Sequence, residues 1–519
     1  MDPMRRKFLY LAGMAGCGLL LPGCTSKQGP LPGIHFTEAD LQRLPVLGLA
    51  TSLSEEHDYF ARIEGELPRD LKGTLYRNGP GLFERNGLRK RCLLDGDGMV
   101  QGFYFDGHRV RFCNRFVRTA KYIEESAAGK YRYSTWSTQA PGGAWRNLGG
   151  GNFANQAGIS VVSRDGRLFA FDEFHPPYEL NPQTLETLGE SWLGLGSEST
   201  VFSAHSKIDA RNGDWIFYGL DFGRKITVHL TVISAKGTLK NHQVYELPRF
   251  AYVHDFFATE HHIILNLHPL DMNLWGFLLG RRSMTGSMRW APEKGNMVLV
   301  FPREGRSRPV ILEAESAWMW HSLNAFEDGR GSIKADFIGY RNPDHFLGDD
   351  PALFAIMEGR LGHYRYPGEL WRYHIDLNSK SLREEILDGG NFEFPTLNPS
   401  SVCHRHRFGY LAQIFKDSDF FSGVTRFDFE NGKSEAFDFG ANTYCSEPVF
   451  VAMPGTKQND DPGWVLTQCY DGKVQKSFLA VLDAQNLTEG PVAKIHLAHH
   501  TPLGFHGFWK PELLATIWK

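Results

Sequence analysis

Twenty-one histidines are spread over the 519 residues, and imidazole is the side chain that serves most readily as metal ligand or proton carrier near neutral pH. The adjacent pairs His261-His262 and His499-His500 look like ligands at first sight. Neighbouring strand residues point to opposite faces, however, so neither pair is expected to chelate one ion. Four others stand in denser contexts: Ser203-Ala204-His205-Ser206, Val253-His254-Asp255-Phe256, Trp320-His321-Ser322-Leu323-Asn324 and Phe505-His506-Gly507-Phe508. In chain order these four are separated by 49, 67 and 185 residues, far too long for a zinc finger or any local loop site. They can meet only if each lies on a different sheet converging on one axis, as the inner strands of a propeller do. Taken singly, each is more often a satisfied core histidine than a ligand. The chain offers no G-x-S-x-G, H-E-x-x-H, P-loop or dinucleotide fingerprint that would point to other chemistry.

The elements that would hold such a site read as strands. Short segments rich in β-branched and aromatic residues recur between turn signals, among them Gly73–Arg77, Met99–Phe105 followed by Asp106-Gly107, Leu168–Phe171, Trp215–Tyr218 and Ile226–Ile233. Their period is two rather than 3.6, and no helical segments of comparable length alternate with them. An all-β fold of antiparallel sheets follows, and the length favours a propeller, although strand density alone would fit a multi-sheet sandwich equally well. Pro269 to Arg282 reads as a helical or irregular insertion on one face. Hydrophobic residues at 42%, aromatics at 13%, 55 Gly and 27 Pro describe a large, turn-rich core and exclude disorder. The 56 Lys and Arg against 59 Asp and Glu leave a net charge of −3, so no strong field for nucleic acid is expected.

Arg5-Arg6-Lys7-Phe8-Leu9 precedes a modest apolar stretch from Leu9 to Leu21, interrupted by Gly13, Gly16 and Gly18. A twin arginine before a weakly hydrophobic core resembles the bacterial twin-arginine export signal, which carries folded proteins and so suits a preloaded metal. Leu21-Pro22-Gly23-Cys24 resembles a lipoprotein cleavage box in which Cys24 would be lipidated. Residues 1–24 are therefore read as a leader, 25–50 as a linker and N-terminal arm, and 51–519 as one propeller domain in the bacterial cell envelope, periplasmic or membrane-anchored. The seven cysteines, Cys17, Cys24, Cys92, Cys113, Cys403, Cys445 and Cys469, form no C-x-x-C pair. Beyond the leader they are expected to be buried small hydrophobes.

These residues carry a resemblance to the carotenoid cleavage oxygenase family. Its separate motifs all occur in order: Leu75–Gly81 (Leu-Tyr-Arg-Asn-Gly-Pro-Gly), Leu94–Met99 (Leu-Asp-Gly-Asp-Gly-Met), Phe116–Thr119 with Lys121-Tyr122, the four histidine contexts, and the closing Phe505-His506-Gly507. The likeness runs from about Tyr59 to Trp509. It implies a seven-bladed β-propeller with a helix and loop dome over its top face. It further implies Fe(2+) held by His205, His254, His321 and His506, with Glu173, Glu393 and Glu447 accepting the outer ring N–H of His254, His321 and His506 respectively. His205 is left without a carboxylate.

Cleaving a conjugated double bond with O2 needs a reducing metal with an open position and a dry apolar tunnel, and no general acid, base or nucleophile. Phe83, Phe103, Phe153, Phe174, Phe256, Trp318 and Trp320 are candidates for that lining. Where many relatives read Ala-Asn-Thr beside the metal this chain has Ala154-Asn155-Gln156, so Gln156 is expected to neighbour the open position. An apocarotenoid is the implied substrate; a stilbenoid is the alternative, and a polyene-binding carrier without catalysis or an isomerase acting at the same iron are further ones. A membrane-dissolved polyene would also call for an apolar patch and contact with a membrane surface.

Overall fold

The structure is a computed structural model that describes residues 28–33, 35–196, 201–223, 225–305, 307–456 and 461–512. The leader, with Cys17 and Cys24, lies outside the described residues.

Among these residues, seven antiparallel sheets of four to six strands follow one another along the chain. The first contains Asp58–Phe60, Lys72–Leu82, Asp97–Asp106 and Val110–Phe116. The next five begin with the inner strands Ser160–Arg164, Ser206–Ile208, Phe257–Ala258, Trp318–Glu327 and Phe392–Thr396. The seventh is built on Gly463–Asp471, Lys476–Asp483 and Pro491–His496. This is a seven-bladed propeller, and its ring is closed twice. Arg62–Gly65 pairs with Pro491–His496 on the outside of the seventh blade, while the C-terminal strand His506–Lys510 pairs with Lys72–Leu82 on the inside of the first.

Burial changes along each blade. The inner strand Trp318–Glu327 is buried at every position but its last, whereas the outer strands Leu239–Glu246 and Lys433–Asp438 are polar and largely open. Charge on such rim strands keeps unpaired edges from joining other sheets. Period-two patterning shows in middle strands such as Ile226–Ile233, whose alternate residues Val228, Leu230 and Val232 share one apolar cluster. Tight turns obey ordinary chemistry: Asp165 (φ 51°) and Gly166 (φ 75°) are the two left-handed residues of the hairpin joining Ser160–Arg164 to Arg167–Phe171.

Short helices and loops rise from one face as a dome, including Ala120–Ala128, Leu274–Leu278, Asp344–Leu347 and Ala352–Ala355. Leu274–Leu278 lies in the stretch read as an insertion. The segment read as an arm is more than a linker. Glu38–Arg43 is a helix with a Thr37/Asp40 capping box, and Val46, Leu47, Leu49 and Ala50 are buried in one apolar cluster with Tyr444, Cys469 and Tyr470 of the last blade. No packing boundary falls at residue 51. The five described cysteines are buried free thiols.

Buried charge ties blades together. Arg303 Nη1 and Nη2 donate to Asp209 (2.6 Å) and Asp214 (2.9 Å), and His404 Nε2 lies 2.9 Å from the Asp209 carboxylate. Nearby, both rings of the His261-His262 pair meet one carboxylate, each Nδ1 being 3.0 Å from a Glu327 oxygen. The opposite-face expectation fails here because His261 sits in the turn before the strand His262–Leu267 begins. His499 stacks on His57 at 4.0 Å and His500 faces the carbonyls of Thr51 and Ser52, both in a loop. Neither pair belongs to a metal cluster among the described residues.

Burial alone would raise the Glu327 carboxyl, but hydrogen bonds from His262, Thr259 and the His261 amide outweigh it and hold the group at about 2, against an ordinary 4.5. Its contribution is complete above pH 4.5 and is lost as pH falls towards 2. With solvent screening included, Glu327→Gln is expected to lower stability at pH 7 by about 1–2 kcal/mol. Urea melts of parent and variant should converge as pH is lowered from 5 towards 2; an equal gap throughout would exclude this role.

Candidate metal centre

Each of the four histidines arrives at the axis on a different blade. His205 immediately precedes Ser206–Ile208, His254 lies three residues before Phe257–Ala258, His321 is within Trp318–Glu327, and His506 opens the closing strand His506–Lys510. One ring nitrogen from each falls within 4.8 Å of the corresponding atom of all the others. The rings meet edge to face, with centroids 4.6 Å apart for His205 and His506, 4.6 Å for His321 and His506, and 5.2 Å for His254 and His321.

Three of the rings are oriented from behind. His254 Nδ1 lies 2.9 Å from Glu173 Oε2, His321 Nδ1 2.5 Å from Glu393 Oε2, and His506 Nδ1 2.8 Å from Glu447 Oε1. A carboxylate accepts, so each Nδ1 carries the proton and each Nε2 turns a lone pair inward. His205 Nε2 and His254 Nε2 stand only 3.1 Å apart, and His321 Nε2 is buried with no hydrogen-bond partner among the described residues. Converging lone pairs with nothing between them repel; a divalent cation satisfies them all. An all-imidazole set suits ferrous iron.

The electrostatics agree. Burial pushes Glu393 up to about 8 and raises Glu173. Burial, reinforced by the neighbouring imidazoles, holds His205 and His321 well below their ordinary value. Burial would depress His254 too, but the Glu173 charge and hydrogen bond raise it. Burial thus opposes charge on Glu173, Glu393, His205 and His321, and a 2+ ion would favour the anionic form of those two glutamates.

How Glu393 reaches His321 is a backbone matter. Glu393 pairs with Ala412 but Thr396 with Tyr410, so the register slips between them, and Phe394 takes a left-handed φ of 51°. This bulge re-aims the strand, with the Phe394 ring stacked on His321 at 5.3 Å and edge-on to His506 at 5.7 Å.

Sequence reasoning missed Asp255. Its Oδ1 lies 4.0 Å from His205 Nδ1, beyond hydrogen-bond reach, so His205 does lack a bonded carboxylate. The same carboxylate accepts from Lys207 Nζ (3.0 Å), the Ser322 amide (2.9 Å) and the Ser322 hydroxyl (2.7 Å). One buried acid thereby joins the neighbours of three separate ligands. The available signal was a charged or polar residue one or two places after His205, His254 and His321.

A cavity of about 490 Å³ opens over His254, His321 and His506. Apart from Glu173 and Glu393 its inner wall is mainly aromatic and aliphatic, with Leu93, Trp136, Trp320, Phe346, Phe394 and Phe505 among the lining. Of the seven aromatic residues expected there only Trp320 lines it; Phe83, Phe103, Phe153, Phe174, Phe256 and Trp318 pack within the apolar core clusters. Gln156 is likewise not a wall residue. Its amide donates to the carbonyls of Leu94 (3.1 Å) and Gly96 (3.0 Å), and Ile159 is the residue of that segment facing the cavity.

A family model described as retinal pigment epithelial membrane protein (RPE65) matches residues 50–511. Apocarotenoid-15,15'-oxygenase of Synechocystis sp. is 32% identical over 470 residues, covering 88% of this chain and 94% of that protein. Isoeugenol monooxygenase of Pseudomonas nitroreducens is 28% identical, covering 88% and 96%. The solved structure of cobalt-substituted Synechocystis apocarotenoid oxygenase superposes with a TM-score of 0.82 at 30% identity, covering 91% of this chain and 99% of the other.

Glu393→Gln, which keeps shape but removes charge behind His321, is expected to weaken Fe(II) or Co(II) affinity about 10–100-fold. Asp255→Asn should also weaken it, by about 10-fold, through loss of the strand clamp. Metal titration followed by the Co(II) absorption spectrum measures both, and unchanged affinity in either variant removes that residue from the centre.

Proposed function

The chain belongs to the RPE65/carotenoid cleavage oxygenase family, and on that premise we propose that it is a non-haem Fe(II) dioxygenase that splits a conjugated carbon–carbon double bond of an apocarotenoid with O2 into two carbonyl fragments. The observation carrying this reading is the four-histidine cluster, backed by three carboxylates, beneath a cavity whose inner wall is mainly apolar. We assign His205, His254, His321 and His506 as the iron ligands.

Bound iron supplies the reductive activation of O2 that side chains alone cannot provide. The chain's own work is positional. Glu173, Glu393 and Glu447 fix ring tautomer and offset the charge that four neutral ligands leave in place. The aromatic wall keeps water out and holds the alkene alongside. Ile159 presents an aliphatic side chain to the same space. No acid, base or nucleophile needs to be recruited.

A second substrate class has support of its own. Resveratrol cleavage oxygenase 1 of Aspergillus fumigatus is 26% identical over 474 residues, and isoeugenol is likewise the namesake of a relative. A phenolic alkene is therefore the alternative to an apocarotenoid.

Placement at a membrane surface of the bacterial envelope is also proposed. The twin-arginine leader supports export. On the dome, Trp145 (61% exposed), Leu148, Leu274, Trp275 (66%) and Leu279 form exposed apolar surface, held together where Gly280 packs on Ala144 and Asn147. Exposed Arg146, Arg281 and Arg282 beside it suit anionic headgroups. Among the described residues no helix is long and apolar enough to cross a bilayer.

The Fe(II)-loaded protein is expected to take up O2 and yield shorter aldehydes or ketones from an apocarotenal, with His321→Ala retaining less than about 1% of turnover. An oxygen electrode with product chromatography decides it: ligand binding without oxygen uptake means a carrier, and geometric isomers without shortened product mean an isomerase. Trp275→Ser should reduce sedimentation with phosphatidylglycerol vesicles about tenfold; undiminished sedimentation excludes the patch.

A further inference from the structure

One wall of the cavity breaks its apolar character. His345, on the helix Asp344–Leu347, is 3% exposed and lines the cavity together with Tyr340 and Tyr364. The His345 ring centroid lies 4.7 Å from Tyr340 and 5.1 Å from Tyr364, and the Tyr364 hydroxyl is 3.3 Å from that of Tyr340. The Trp320 indole N–H donates to His345 Nε2 at 2.8 Å. Tryptophan can only donate, so that nitrogen holds the lone pair and the proton of the neutral ring is on Nδ1. Burial depresses the imidazolium to about 3, so the ring stays neutral at any working pH. The Nδ1–H then has no acceptor among the described residues. Buried donors are rarely left without a partner, and a fold that retains one beside a ligand cavity has reserved it.

Its position relative to the metal centre says what it is reserved for. The Trp320 ring bridges the two, 5.2 Å from His254 and 6.3 Å from His345. An alkene placed over the four histidines would lay one arm along Trp320, and a group about one aromatic ring away from the double bond reaches this wall. Among the described residues no Lys or Arg hydrogen-bonds to or stacks on His345, Tyr340 or Tyr364. Two cations line the cavity: Arg360 is engaged by Asp350 and Glu358, and Lys416 lies on the separate segment 414–421.

We propose that His345, flanked by Tyr340 and Tyr364, is a specificity-determining residue whose Nδ1–H receives an uncharged oxygen substituent, hydroxyl, ether or carbonyl, carried by the substrate close to the double bond that is cut. The proposal rests on the function assigned above and adds to it. The enzyme would select oxygenated alkenes and discriminate against hydrocarbons of the same shape, because a polar site left unpaired rejects the analogue lacking the group.

The test separates binding from turnover. Affinities of 4-hydroxystilbene and stilbene, and of an apocarotenal and the matching hydrocarbon polyene, are measured on metal-loaded protein without O2 by quenching of tryptophan fluorescence. The parent is expected to favour the oxygenated member of at least one pair by about tenfold or more. His345→Leu should abolish that preference while leaving the hydrocarbon within about twofold, and His345→Gln, which keeps an acceptor for Trp320 and a donor, should retain most of it. Thermal melts check that each variant folds. Absence of a preference in the parent, its survival in His345→Leu, or an equal loss for both members of a pair each overturns the proposal; the last result would mean that His345 only props Trp320. If the parent binds with the preference but cleaves none of these alkenes, the assigned reaction fails while the subsite stands. The pair showing the larger preference tells an aryl oxygen from a polyenal carbonyl.

Discussion

Four imidazole nitrogens turned towards one point cannot rest there unless a cation lies between them, and four neutral ligands do nothing to cancel that cation's charge. Most of the architecture around the axis answers these two facts. Carboxylates stand behind His254, His321 and His506, close enough to take the outer ring proton and far enough not to compete for the metal. Burial makes Glu173 and Glu393 poor anions without the ion, so for these two ligand orientation and charge compensation become one event. His205 is served differently: Asp255 stands near it without bonding to it and spends its own hydrogen bonds on Lys207 and Ser322, tying the ligand-bearing segments together.

A propeller suits this demand because every blade delivers an inner strand to the same axis. No ligand needs a long or strained loop to reach its place, and each is anchored in a sheet whose outer strands carry the solvent boundary. Closure matters as much as the blades. His506 is on the last strand of the chain yet pairs in the first blade, with Asn78 opposite it. The metal centre is therefore complete only when the ring is closed. One left-handed non-glycine residue stands where aiming requires it, at the Phe394 bulge that turns Glu393 inward.

The space above the axis has two characters. Aromatic and aliphatic side chains exclude water and grip a conjugated chain through dispersion, which discriminates shape weakly. A single reserved donor at His345 discriminates chemistry far more sharply, because in a dry cavity an unmatched polar group is costly. Exposed tryptophan and leucine on the dome, edged with arginine, are the basis of the proposed contact with a membrane surface.

What the chain's own order of residues settled was the class of structure and the chemistry on offer. Dense period-two segments meant sheets, and the ordered motifs around His205, His254, His321 and His506 implied, through their family likeness, metal chemistry at the four histidines that the structure brings together. What tertiary structure alone decided were matters of direction and neighbourhood. Gln156 and Ile159 are three residues apart, yet Ile159 lines the cavity and Gln156 is tied to carbonyls in the adjoining loop. His261 and His262 share Glu327 because a turn begins one residue sooner than strand alternation assumes. The Asp255 clamp and the unmatched Nδ1–H of His345 join residues 48 to 67 positions apart or arise from a partner on another element. The physical reason is common to all: a residue type sets what bonds can form, whereas the path of the backbone through turns, bulges and ring closure sets which atoms are near enough to form them.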